Sequence, residues 1–237
     1  MLQTVTLTGA DESVTAIQLI ELSQEFPFVE WGILIGSGTC SRFPSVDWIR
    51  GLVEQCQDVT PQLNLSLHIC GKFLREIAAG KSTLLEHVGP HLGYFRRCQL
   101  NWHAQRQGDI AENILGAFCG LMPWEPEIIF QQDGVNGDLA SGAIRRFLCS
   151  GLFDCSHGAG VSPDEWPEAL TTMRSGWAGG LGPDNIATEL PRIAAKAHRV
   201  MPYWIDMEAK LRSDGDSQFD LAKCRSVLEQ CVPFVGK

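Results

Sequence analysis

Two stretches decide the fold: Leu152-Phe153-Asp154-Cys155-Ser156-His157-Gly158-Ala159-Gly160, and Gly176-Trp177-Ala178-Gly179-Gly180-Leu181-Gly182-Pro183-Asp184-Asn185. Each joins a short apolar run to a glycine-rich turn and then to a helix-start signal, Ser162-Pro163-Asp164 in the first and Pro183-Asp184 in the second. A strand that short and that apolar is covered on both faces, which is the habit of a parallel sheet. Glycines without a Cβ let a ligand approach backbone N–H groups at a helix start, so the pair of turns is a candidate cradle for an anion such as phosphate. Taken singly, each is an ordinary strand-to-helix turn; their repetition favours the cradle.

Outward from this pair the same unit recurs. Val5-Thr6-Leu7-Thr8-Gly9 precedes a helix that Ser13 can cap, running to about 24; residues 29–35 precede a segment opened by Pro44-Ser45 and running to about 57. Residues 63–70 are closed by Gly71 and lead into a helix towards 85. Runs at 97–101 and 127–131 are followed by helical patterns over 110–119 and 139–148, and the run at 203–207 by a polar loop and a closing helix over 219–231. Eight strand-then-helix units in 237 residues predict one (β/α)8 barrel spanning residues 1–237, with an open doubly wound sheet as the alternative.

Composition limits the function. The chain is 44% hydrophobic and 20% charged, and no apolar run is long enough to span a bilayer; Met1 to Ala10 has neither the basic flank nor the apolar segment of a secretion signal, so a cytoplasmic protein without a membrane partner is expected. Nine cysteines, odd in number and without a CxxC pair, read as reduced thiols and offer no structural metal cluster. A net charge of −9 argues against a nucleic-acid partner, but not against a small anion held locally. Oligomeric state has no signal in the sequence.

In such a barrel the site lies at the C-terminal ends of the strands. The polar residues there are Thr8 and Asp11, Arg42, His68, Asn101, Gln131 and Asp133, Asp154, and Asp206 with Glu208. Asp154, between an apolar run and a glycine turn, is the candidate general acid; an Asp that caps its own turn is the plainer reading. His68 is a second catalytic candidate, although a lone strand-end His is often structural. Arg42 and Lys210 offer cations for a carboxylate and a phosphate. Trp31, Trp48, Trp166, Trp177 and Trp204 are expected to pack the barrel and its helices.

These residues resemble phosphoribosylanthranilate isomerase, a barrel enzyme of tryptophan biosynthesis. The segment from Ala178 to Ile186 is similar to that family's phosphate loop after strand seven, Phe153-Asp154 with Gly158-Ala159-Gly160 and Trp166 to its strand-six acid and turn, and Ser41-Arg42-Phe43 to its substrate-carboxylate arginine segment. Asp206, then Gly215 and Asp220, resembles its last strand and loop. The resemblance implies phosphate at Gly158, Gly160, Gly179 and Gly180, and Asp154 as the acid that opens a furanose ring. It also marks two departures: Thr8 stands where the family has a cysteine base, and Glu208-Ala209-Lys210 replaces a small Ser/Gly segment, bringing Lys210 to the phosphate. With Thr8 at the base position, His68, Asp11 or Glu208 has to serve, and Asp11 and Glu208 join Arg42 as substrate-binding candidates. The expectation is an isomerase-like enzyme for a phosphorylated sugar or sugar-amine, using no metal or organic cofactor. The alternative is a barrel that binds a small phosphorylated metabolite without catalysis.

Overall fold

The computed structural model describes residues 1–36, 42–56, 63–79, 81, 84, 88–101, 125–132, 148–156 and 160–236. Strands β1 (Leu2–Thr8), β2 (Val29–Ile35), β3 (Leu65–Ile69), β4 (Phe95–Leu100), β5 (Glu127–Gln131), β6 (Cys149–Asp154), β7 (Arg174–Ala178) and β8 (Tyr203–Met207) pair in sequence order. All pairings are parallel, and β8 returns to β1, so the sheet closes and no strand edge is left unpaired. The open doubly wound alternative is thereby excluded. The described helices between or after the strands are α1 (Ala16–Glu25), α2 (Val46–Cys56), α3 (Gly71–Ala78), α4 (Ile186–Lys196) and α5 (Leu221–Cys231). The expected helices over 110–119 and 139–148 fall almost wholly outside the described residues.

Alternation along the strands sorts the side chains between two environments. In β2, Val29, Trp31, Ile33 and Ile35 join the large core between barrel and helices, and Glu30 and Gly32 take the other face. The same split places Leu65, Leu67 and Ile69 of β3 outside and Ser66 and His68 inside. Inside the barrel only a small apolar cluster of Ile129, Leu152 and Trp204 forms. The lumen is thus largely polar, unlike the branched aliphatic filling common in this architecture.

Its lower part holds a chain of alternating charges. Arg97 Nη1 lies 2.9 Å from Glu30 and its Nε 3.6 Å from Glu127, while Arg174 Nη1 lies 3.1 Å from Glu127. Thr6 donates to Glu30 at 2.8 Å, and the guanidinium of Arg97 stacks 4.2 Å from the ring centroid of Trp204, with that of Arg174 at 5.6 Å. Burial pushes the Glu30 carboxyl upward against the pull of Arg97. Gly176 makes room for this layer, because a Cβ there would meet Trp204 at 2.1 Å.

Two local readings differ from the sequence. Thr15, not Ser13, is the N-cap of α1, and its hydroxyl and the Gln18 side chain form a capping box; Ser13 instead donates to Asp11 and accepts from the Phe219 N–H at 2.9 Å. No helix follows β6 within residues 160–173. Pro163 and Pro167 lack an N–H and disfavour helix in the residue before them. Trp166 is instead buried there, its Nε1 donating to Glu189 on α4 at 2.7 Å, and Trp177 Nε1 donates to the Pro167 carbonyl at 3.0 Å. An irregular segment pinned at two points covers the strands where a helix was expected.

Arg97→Met should lower stability by about 3–5 kcal/mol, because it leaves the buried Glu30 without its cation and Glu127 with Arg174 alone. Arg225→Met, which removes the exposed Arg225–Glu25 pair, should leave it nearly unchanged. Urea unfolding of both variants checks the contrast, and equal losses would deny the lumen chain its structural role.

Candidate active site

A cavity of about 260 Å³ opens at the C-terminal ends of the strands, the face at which residues were expected to converge. Its two carboxyl-bearing strand ends are set by register: Asp154 pairs with Ala178, and Ala178 with Asp206. With strands about 4.8 Å apart, the two aspartates flank Ala178 at a Cα separation of about 10 Å. Both border the cavity.

Asp154 Oδ1 accepts from the Ser156 N–H at 3.2 Å and the Ser156 hydroxyl at 3.0 Å, so it does cap its own turn while facing the cavity. Asp206 is the more perturbed group. Burial pushes its carboxyl up to about 7, the negative charges of Glu208, Glu30 and Asp154 push the same way, and a 2.7 Å hydrogen bond from the Thr8 hydroxyl opposes them. Sequence reasoning placed Asp206 at a strand end and gave it no role. Only the closure of β8 onto β1, across 198 residues of chain, brings Thr8 against it.

Thr8 is therefore a donor to Asp206, and it is not among the cavity-lining residues. Gly32 on the adjoining strand leaves space for it: a Cβ there would meet Thr8 Oγ1 at 2.3 Å and His68 Cε1 at 3.0 Å. His68 does border the cavity. Burial, helped by the positive charge of Arg97, holds its imidazole down at about 3, so it is neutral at physiological pH. Gln99, Asn101 and Gln131 line the same side.

The substrate-binding candidates divide. Asp11 is held outside the cavity lining: Arg212 Nη2 donates to it at 2.6 Å and the Ser13 N–H at 2.8 Å, tying the end of β1 to the loop after β8. Arg42 and Glu208 both reach the rim, but they bond to each other, and Arg42 Nη2 also pairs with Asp216 at 2.8 Å. The arginine that a substrate carboxylate would need is already neutralised. Lys210 borders the cavity too, its stem packed on Gly182.

Opposite lie the glycine turns. Gly160, Gly179 and Gly180 border the cavity at φ of +68°, +132° and +60°, a region other residues avoid. The N–H groups of Gly179 and Gly180 donate to no described residue. A Cβ on Gly180 would meet the Ser162 nitrogen at 2.3 Å, so the turn after β7 is packed directly on the segment after β6. Asn185 locks the pair, donating to the Gly180 carbonyl at 2.8 Å and the Ser162 hydroxyl at 3.0 Å and accepting from the Gly182 N–H at 2.9 Å. Gly158, Ser41 and Asp133 lie outside the described residues. Among the described residues no group of three or more His, Cys, Asp and Glu side chains is placed to hold a metal ion, and no helix is long and apolar enough to cross a membrane.

No family model matches the chain, and no curated protein matches it in sequence. Solved structures do match. TrpF from Jonesia denitrificans superposes with a TM-score of 0.61 over 97% of each chain at 16% identity. Phospho-2-dehydro-3-deoxyheptonate aldolase from Thermotoga maritima gives a TM-score of 0.53 at 10% identity, covering 98% of this chain and 68% of that one. At such identities the likeness is one of fold, a barrel like that of TrpF.

The raised Asp206 carboxyl makes stability depend on pH. Its ordinary value is 3.8 and its folded value about 7, so between them the folded chain keeps a proton that the unfolded chain has lost. The stabilisation from this group is complete below about pH 4 and is lost as pH rises through about 7. Asp206→Asn has no proton to lose, so it should gain on the wild type between pH ~5 and pH ~8 in urea unfolding. A wild-type-to-variant difference that stays constant with pH would show that Asp206 is not a buried, proton-retaining carboxyl.

Proposed function

We propose that this protein is an isomerase-like enzyme that moves a proton within a phosphorylated sugar or sugar-amine, by general acid/base catalysis at the mouth of the barrel. The observation that carries the reading is the convergence on one cavity of two separated carboxyl groups, Asp154 and Asp206, with a rim formed by Lys210 and by glycines whose amides donate to no described residue. TrpF, a phosphoribosylanthranilate isomerase, shares the fold, which supports the class of reaction without supplying the substrate.

The phosphate would sit on the Gly160, Gly179 and Gly180 side, where the Gly179 and Gly180 N–H groups have no acceptor among the described residues and Lys210 adds a charge; Gly158 belongs to the same turn in the sequence. Asp154 would protonate the ring oxygen of a closed sugar, or the carbonyl oxygen of an open one. Asp206 would take the proton from C2. A carboxyl at about 7 is partly ionised at neutral pH and is a better acceptor than an ordinary aspartate, while the Thr8 hydroxyl holds its orientation. His68 would serve as a neutral hydrogen-bonding group in place of an acid. The proton lost at C2 is balanced by the one gained at C1 or oxygen, so the product is an isomer and neither metal nor cofactor enters the scheme.

The second reading is a non-catalytic phosphometabolite-binding barrel, favoured by Thr8, which donates its hydrogen bond and cannot act as a base near neutral pH. The two part on one experiment. Phosphorylated sugars incubated with the protein in D2O should gain deuterium if the proton is moved, at C2 of an aldose and at C1 of a ketose. Asp154→Asn should lower that turnover by roughly 10²–10⁴-fold and leave inorganic phosphate affinity nearly constant. Asp206→Asn should abolish exchange. Phosphate binding without exchange on any phosphosugar would give the protein to the second reading.

A further inference from the structure

The cavity has two chemically different halves, and the half beneath β3, β4 and β5 has unmet hydrogen-bonding capacity. Gln99 Oε1, Gln131 Oε1 and His68 Nε2 are buried without a hydrogen-bond partner among the described residues, and all three side chains border the cavity. Buried polar atoms left so are uncommon and costly, and the shortfall is met when water or a ligand supplies the missing partner. Gln99 is also held in place: its Nε2 donates to Asn101 Oδ1 at 2.8 Å, and Asn101 Nδ2 in turn donates to Cys70 Sγ at 3.0 Å.

We infer that this half of the cavity is a subsite for an uncharged, hydroxyl-bearing portion of the ligand, so that the end of the substrate remote from the phosphate is a polyol and not an aromatic carboxylate. The inference rests on the phosphosugar reading above for which end carries the phosphate. Three observations separate the classes. A hydroxyl both donates and accepts, which suits carboxamides and a neutral imidazole in either orientation. An aromatic ring would cover the two glutamine oxygens and the imidazole nitrogen while offering none of them a partner, leaving each desolvated. A carboxylate would need a cation, and among the described residues the one at this rim, Arg42, is engaged by Glu208 and Asp216, while Arg97 below is engaged by Glu30 and Glu127. Burial keeps His68 neutral and pushes the Cys70 thiol up to about 12, so neither of them supplies charge.

Isothermal titration with four probes tests this: inorganic phosphate, D-ribulose 5-phosphate, an N-(carboxyphenyl)amino-1-deoxyribulose 5-phosphate, and ribitol. D-ribulose 5-phosphate is expected to bind at least about tenfold more tightly than inorganic phosphate, and more tightly than the aryl-carboxylate analogue. Gln131→Leu, close to glutamine in volume, should weaken D-ribulose 5-phosphate about tenfold, the scale of one or two lost neutral hydrogen bonds, and leave inorganic phosphate unaffected. Gln99→Leu should do the same, and Gln131→Glu, which adds charge at the same shape, serves if a leucine variant does not fold. If no phosphorylated probe binds, the phosphate reading fails by itself. The subsite is then judged on ribitol, whose millimolar binding must be present in the wild type and lost in Gln131→Leu. Tighter binding of the aryl-carboxylate, or glutamine variants that leave the hydroxylated probe unchanged, would overturn the proposal.

Discussion

The ionic chain Glu30–Arg97–Glu127–Arg174 is the constraint on which the rest of the barrel depends. Glu30, Arg97 and Glu127 are buried and Arg174 half-buried, and charges so far from water persist only if each meets an opposite charge; they come from β2, β4, β5 and β7, so the strands must keep one register for the charges to match. Trp204 and the gap at Gly176 complete the layer from β8 and β7. Above it the lumen stays polar, and its field reaches the mouth: Arg97 helps to hold His68 neutral, and Glu30 is among the charges that push Asp206 up. The chemistry at the rim is tuned from the floor.

The outward faces of the strands were legible in the sequence because they are apolar wherever a helix covers them, and the eight units could be counted on that basis. The lumen was not. A charge inside a strand, as in Phe95-Arg96-Arg97-Cys98-Gln99, reads as exposed until its partners are known, and Glu30 lies 67 positions away. Arg42 shows the same limit in the site. Its residue type marks it as an anion ligand, but the anions it holds are Glu208 and Asp216, the latter 174 positions distant. Asp154 and the turns at Gly160 and Gly179–Gly180 were legible because one local motif sets both their backbone conformation and their place at a strand end. The helix expected after β6 failed because Pro163 begins a helix as readily as it begins an irregular segment, and Trp166 docking on Glu189 selects the segment.

The mouth is also less charged in effect than its residues suggest. Arg42 is engaged by Glu208 and Asp216, Asp11 is spent on Arg212, and His68 is neutral. What remains facing the cavity is a small set: two carboxyl groups set apart by one strand, amides and a lysine on one side, carboxamides on the other. A site so arranged orients a ligand by hydrogen bonds more than by long-range attraction.

The contact between the two glycine turns bears on how this barrel can change. Barrels of this kind acquire new activities largely by exchanging the loops at one end, each treated as a separate module. Gly180 lies so close to Ser162 that it cannot take a side chain unless the segment after β6 moves with it, and Asn185 fastens the two together. In recombination, whether by evolution or in the laboratory, the segments after β6 and β7 form a single heritable block, and crossover points for chimeras belong before β6 or within α4.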